Sequence, residues 1–190
     1  MENSVEIFEC GPRDGWQNLK QMLTTEEKLK MIDGLVSAGV KTMEITSFVS
    51  PKAIPQMADA RQVAEYCVKK YPQLALYALT PNFRGVHDAW EAGIRHVTYV
   101  VSLSETHNKA NINRTHEESL AELRKIVETY PGLDITIGYA TAFGCPFEGI
   151  PKISDAVAFA ERLWAAGARS LTLSDTIGIA DPRQVRETIR

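Results

Sequence analysis

No stretch of this sequence approaches the roughly 20 consecutive apolar residues that a membrane span requires. Basic residues are not in excess either: 21 Lys and Arg stand against 24 Asp and Glu, a formal net charge of −3. That balance leaves no electrostatic footprint for nucleic acid, and no Lys/Arg cluster marks a membrane surface. Cysteine is scarce. The three present, Cys10, Cys67 and Cys145, are odd in number, lack metal-type spacing and read as reduced thiols of a cytoplasmic protein. There is little room for a leader segment, because a strand is expected from Val5 to Cys10. With 44% hydrophobic residues, the 190-residue chain has material for one sizeable core and not comfortably for two, so residues 1–190 are expected to form a single domain.

What is present is a repeat in the connectors. Ala38-Gly39-Val40-Lys41, Ala92-Gly93-Ile94-Arg95 and Ala166-Gly167-Ala168-Arg169 each precede a short β-prone run. Glycine just past a helix end takes the left-handed conformation without a Cβ penalty. Between these lie Tyr71-Pro72-Gln73-Leu74 and Tyr130-Pro131-Gly132-Leu133, where proline ends the helix instead. Thr24 with Glu27 and Thr115 with Glu118 read as capping boxes, and Asp181-Pro182 as an N-cap followed by proline at the first helical position. The pattern predicts strands near 5–10, 40–46, 74–80, 96–102, 135–140 and 170–174. Helices are predicted near 25–38, 57–71, 83–92, 116–129, 155–166 and from 182 onward.

Strand alternation favours a β/α-barrel over a doubly wound open sheet, whose strands are more often apolar throughout. Met43 and Ile45 oppose Thr42, Glu44 and Thr46; Val97, Tyr99 and Val101 oppose Thr98, Val100 and Ser102; Leu171 and Leu173 oppose Thr172 and Ser174. The apolar faces should meet the helices and the polar faces the barrel interior. Long polar links follow the strands, at 11–23, 47–56, 103–114 and 141–153, and barrel enzymes keep their active sites on that side. The fold class expected is therefore a TIM (β/α)8 barrel, with six of the eight units present.

The first link carries Arg13 and Asp14 between glycines. An isolated Arg-Asp pair in a loop is ordinarily a surface ion pair. Glu44 changes that reading, because a glutamate on the inward face of a strand is costly to bury without a cation, and Arg13 is the nearest candidate. Asp14 would then be free to hold a metal. His107 and Cys145 have no partner legible in the sequence, and Cys145 reads as structural. Asp175 reads either as a site residue or as a helix cap.

Several stretches together resemble the 3-hydroxy-3-methylglutaryl-CoA lyase family of metal-dependent barrels. They are Gly11-Pro12-Arg13-Asp14-Gly15-Trp16-Gln17-Asn18, Glu44-Ile45-Thr46-Ser47-Phe48-Val49-Ser50-Pro51-Lys52, Pro55-Gln56-Met57-Ala58-Asp59, Ser104-Glu105-Thr106, Asn111-Ile112-Asn113, Gly144-Cys145-Pro146-Phe147-Glu148-Gly149 and Asp175-Thr176-Ile177-Gly178. The resemblance implies an acyl-CoA substrate and a divalent cation, Mg²⁺ or Mn²⁺, with Asp14 as one ligand. It implies Arg13, Glu44 and Asp175 as catalytic residues, Arg13 stabilising an enolate and Glu44 orienting it, with Arg13, Gln17 and Thr176 contacting substrate. A homo-oligomer is also expected, with no nucleic-acid or membrane partner. The family's remaining metal ligands, a His-x-His pair and an asparagine, and its catalytic cysteine belong to later units, so the barrel is expected to be C-terminally incomplete and these residues alone inactive. A Claisen-type synthase of the same superfamily and a binding module built on a barrel are the rival readings. A Schiff-base aldolase is disfavoured because no strand end offers a lysine.

Overall fold

The structure is a computed structural model that describes residues 5–189. Among those residues six strands alternate with helices: β1 (Phe8–Glu9), β2 (Thr42–Ser47), β3 (Ala75–Thr80), β4 (His96–Ser102), β5 (Asp134–Ala140) and β6 (Ser170–Leu173). Their order in the sheet is the order of the sequence. The α-helices are α1 (Thr25–Ser37), α2 (Ala60–Lys70), α3 (Phe83–Glu91), α4 (Glu105–Ile112), α5 (His116–Thr129), α6 (Ile153–Ala165) and α7 (Pro182–Ile189). The chain divides into two compact units, Met1–Val97 and Thr98–Arg190.

In the first unit, β1 pairs in parallel with β2, and β2 with β3. β1 is shorter than the strand expected over 5–10, and Val5 and Ile7 are exposed. The β2–β3 register slips between Glu44 and Thr46, where a bulge opposes two residues of β2 to one step of β3. The alternation expected along β2 therefore does not run through to its end: Thr46 bonds Met57 Sδ, on the short 3₁₀ turn Pro55–Met57 that precedes α2. That turn is also why α2 begins at Ala60 and not at 57. Thr24 and Glu27 form the capping box at the start of α1.

Two clamps join α1 to α2. At one end Lys28, a buried lysine, donates to Asp59 Oδ1 at 2.7 Å and to the Gln56 carbonyl, while Thr25 Oγ1 donates to Asp59 Oδ2 at 2.8 Å. At the other end Asp33 accepts from Tyr66 Oη, Lys70 Nζ and Tyr71 Oη, the last at 2.6 Å. Asp33 is partly desolvated, which opposes ionisation, but these donors outweigh it and hold the carboxyl below its ordinary value.

In the second unit β5 pairs in parallel with β6. Tyr99 on β4 reaches the α5 side through bonds to the Ser119 carbonyl and Glu122, so its face of the strand does meet a helix. Thr115 and Glu118 form the second capping box, and Asp181 Oδ1 accepts from Gln184 N at the start of α7. The polar link expected over 103–114 contains α4, capped by Ser104 and ended by Asn113 in the left-handed region at φ 54°. The α6-to-β6 hand-over places Gly167 at φ 107°, where a Cβ would lie 2.7 Å from Val127 Cγ2, so backbone conformation and packing both require glycine.

Candidate functional site

The link after β1 is a single π-helical turn, Gly11–Gly15. Both Arg13 N and Asp14 N donate to the Cys10 carbonyl, at 3.0 and 2.7 Å, and Pro12 occupies a position where no N–H is needed. This winding brings two consecutive charged side chains within reach of each other, and such turns recur at functional sites.

Arg13 Nε donates to Glu44 Oε2, and Arg13 Nη1 donates to Asp14 Oδ1 at 2.7 Å. The Glu44 side chain is 1% exposed, Arg13 16% and Asp14 60%. Glu44 therefore has the cation its burial demands, and Arg13 is held by two carboxylates, one at Nε and one at Nη1. Among the described residues Nη2 has no hydrogen-bond partner, so that nitrogen's N–H donors remain free. Gln17 Nε2 donates to the same Asp14 Oδ1 at 3.2 Å. Both bonds to Asp14 thus fall on one oxygen and leave Oδ2 to solvent. Arg13, Asp14, Gln17 and Glu44 are brought together in this unit. Cys10, beside them, is pushed up to about 11 by burial, reinforced by the Glu44 charge, which makes it a poor nucleophile near neutral pH.

The motif Pro55-Gln56-Met57-Ala58-Asp59 serves this loop from behind. Gln56 is buried; its Oε1 accepts from Leu23 N at 3.1 Å and its Nε2 donates to the Gln21 carbonyl at 3.2 Å, so it splints the far end of the β1–α1 link.

Asp175 and Thr176 belong to the second unit. Asp175 accepts from Ile179 N and Ala180 N, one amide on each oxygen at 3.0 Å, so its carboxylate shapes its own loop. Thr176 Oγ1 accepts from Thr141 N at 2.7 Å. Thr141, missing from the sequence reading, is buried at φ 58°. A threonine after a strand carries no signal of a left-handed backbone, so nothing in the residue pattern could have singled it out.

His107 lies in α4 with Nδ1 2.8 Å from Ser102 Oγ, and desolvation lowers its pKa. Asn108 is fully buried: its Oδ1 accepts from Ser102 N and its Nδ2 donates to Ser119 Oγ and the Arg114 carbonyl. Much of the Ser104–Asn108 motif is therefore scaffolding. Cys145 closes a small hairpin with Gly149 through paired backbone bonds, in keeping with a structural role. Glu148, at the hairpin tip, accepts from Thr106 N at 3.0 Å, and that hydrogen-bonding lowers its pKa against a smaller desolvation effect. A carboxylate depressed in the folded state adds stability above its ordinary value of 4.5 and loses it as pH falls through the folded value. Below about pH 4.5 the wild-type protein should lose melting temperature more steeply than Glu148→Gln; parallel acid-side slopes would refute the docking role.

Comparison with known proteins places this geometry in context. A family model described as HMGL-like matches residues 4–190. The hydroxymethylglutaryl-CoA lyase YngG of Bacillus subtilis is 41% identical over 187 residues, 97% of this chain and 62% of its own length. The mitochondrial hydroxymethylglutaryl-CoA lyase of Bos taurus is 38% identical, with 97% of this chain and 57% of the relative covered. Among solved structures, an HMG-CoA lyase from Acinetobacter baumannii in complex with coenzyme A and 3-methylmalate superposes with a TM-score of 0.92 at 35% identity, covering 97% of this chain and 61% of that one. The chain thus has the fold of these lyases over six β/α units of a TIM barrel and spans about three fifths of their length.

Proposed function

The chain belongs to the HMGL-like family, and on that premise we propose that it carries part of the active site of a carbon–carbon lyase acting on 3-hydroxy-3-methylglutaryl-CoA or a close 3-hydroxy-3-alkylglutaryl-CoA. Removal of the tertiary hydroxyl proton lets that oxygen become a ketone as the bond to the thioester arm breaks. The electron pair passes into the thioester enolate, which takes a proton at carbon to give acetyl-CoA, and the other product is acetoacetate or a related 3-oxo acid. The observation that carries the proposal is the Arg13 guanidinium, fixed by buried Glu44 and by Asp14 with its Nη2 donors free. A preorganised cation is what a developing enolate oxygen requires. Gln17 and Thr176 are proposed to contact substrate, and Asp175 to act in the site through the loop it holds. The coenzyme A in the Acinetobacter structure supports an acyl-CoA ligand. The free thiols of Cys10, Cys67 and Cys145 suit the cytoplasmic setting proposed for the chain, and association into a homo-oligomer is part of the same reading.

For a divalent cation, Mg²⁺ or Mn²⁺, the residues fit in one respect only. Asp14 offers an uncommitted carboxylate oxygen, but among the described residues no group of three or more His, Cys, Asp and Glu side chains is placed to hold a metal. The proposal is therefore confined to Asp14 as a single ligand. Such a cation, when bound, lowers the pKa of a coordinated hydroxyl. Asp14→Asn should weaken Mn²⁺ binding by about tenfold or more, given that even outer partners of a metal site are worth about 10–100-fold, with unchanged circular dichroism. Equal affinity in the variant would remove Asp14 from the metal's ligands. Formation of acetyl-CoA and acetoacetate from the acyl-CoA, assayed on the full-length protein with Mg²⁺ present, tests the activity itself; neither product appearing would refute it.

A further inference from the structure

Thr141 sits immediately after β5 with φ 58°, a left-handed conformation that a β-branched side chain adopts only at a cost. Its surroundings make that conformation obligatory. The side chain is 1% exposed, and Oγ1 donates to the Ala140 carbonyl at 2.7 Å while accepting from Ser104 N at 3.1 Å. The Ala140 carbonyl also accepts from Leu103 N, which ties the end of β4 to the end of β5. The backbone N–H of Thr141, turned outward by the left-handed geometry, donates to Thr176 Oγ1 at 2.7 Å in the loop after β6. That loop also packs tightly on its neighbour: a Cβ on Gly144 would lie 2.4 Å from Ile179 Cδ1. One strained residue thus holds three strand ends in register, and strain retained by surrounding bonds is what marks a site where position matters.

A threonine hydroxyl has one proton and two lone pairs. With one lone pair occupied by the Thr141 amide, and no acceptor for its own proton among the described residues, Thr176 is directed to donate. Its side chain is exposed, so the donor is available to a ligand. We propose that Thr141 is a positioning residue that sets Thr176 as a hydrogen-bond donor to a carbonyl or carboxylate oxygen of the substrate. This rests on the lyase reading for the identity of that substrate. Glycine at 141 would relieve the backbone but delete the hydroxyl that holds Ser104 N, whereas serine would keep it.

Two measurements on the full-length protein test this. Amide exchange of Thr141 should be slow in the wild type, fast in Thr176→Val and slow again in Thr176→Ser. Losing a donor to a charged or strongly polar oxygen is uniform binding lost, so KM for the acyl-CoA should rise about tenfold or more in Thr176→Val and in Thr141→Gly, with kcat within about threefold. Thr141→Ser should restore KM, and melting temperature should not track these changes, as it would for a merely structural residue. Fast exchange in the folded wild type, or unchanged KM in Thr176→Val, overturns the assignment. If the wild type shows no turnover but the exchange pattern holds, the lyase reading fails while the positioning of Thr176 stands.

Discussion

Replacing Arg13 with methionine in the full-length protein is expected to lower kcat for acyl-CoA cleavage by about 10²–10³-fold, the range found when one preorganised donor to a developing oxyanion is removed. The reason lies in how Arg13 is held. Its Nε and Nη1 are committed to Glu44 and Asp14, its side chain is 16% exposed, and Nη2 is left over for a ligand. Because the Nη2 donors are in place before substrate arrives, little reorganisation is needed as charge develops, and the benefit falls on the transition state. KM should therefore change much less than kcat. Lysine at this position should rescue little, since a point charge cannot bond Glu44, Asp14 and a ligand along one planar fork. Steady-state kinetics of Arg13→Met and Arg13→Lys decide it: an effect confined to KM would make Arg13 a substrate anchor instead.

Asp59→Ala is expected to cost about 3–5 kcal/mol of folding stability, the usual penalty for leaving one member of a buried ion pair without the other. Lys28 is 3% exposed and Asp59 16%, so solvent cannot substitute for the lost carboxylate. Replacing both partners, as in Lys28→Met with Asp59→Leu, should be far less damaging, because no orphaned charge remains. Urea unfolding should show a lower midpoint for Asp59→Ala at unchanged slope, with the double variant recovering much of the loss. A change below about 1 kcal/mol in the single variant would show that water reaches Lys28. Gln56 adds a functional corollary, since the same node splints residues 21 and 23 of the loop that bears Arg13.

The elements that announce themselves through backbone chemistry were legible in the residue pattern. Thr24/Glu27 and Thr115/Glu118 are both capping boxes, and Gly39, Gly93 and Gly167 all take positive φ where helices hand over to strands. Glu44 could be paired with Arg13 on paper because a buried carboxylate needs a cation. The features that escaped notice depend on contacts far apart in sequence or on weak periodicity. Helix α4 is almost uniformly polar and has no apolar stripe to betray it, only Ser104 as a cap. The bulge after Glu44 breaks a period-two pattern that the residues alone suggest is continuous. Asp175 could be read two ways, and its bonds to Ile179 N and Ala180 N reveal a loop-forming carboxylate. Thr141 acquires its conformation from Ser104 and Thr176, neither of them a sequence neighbour.

The two clamps between α1 and α2 also bear on the order in which the chain acquires structure. Lys28 and Asp59 are 31 positions apart, and Asp33 and Tyr71 are 38 apart. Closing loops of this length costs only slightly more entropy than closing shorter ones, and the contacts enclose β2 between the two helices they join. Every partner in both clamps precedes residue 72. During synthesis these residues leave the ribosome before those of β3, so the first β/α units can close their own ion pairs ahead of the rest. A nascent chain arrested with residues 1–71 exposed would already have every group needed to protect α1 and α2 from proteolysis.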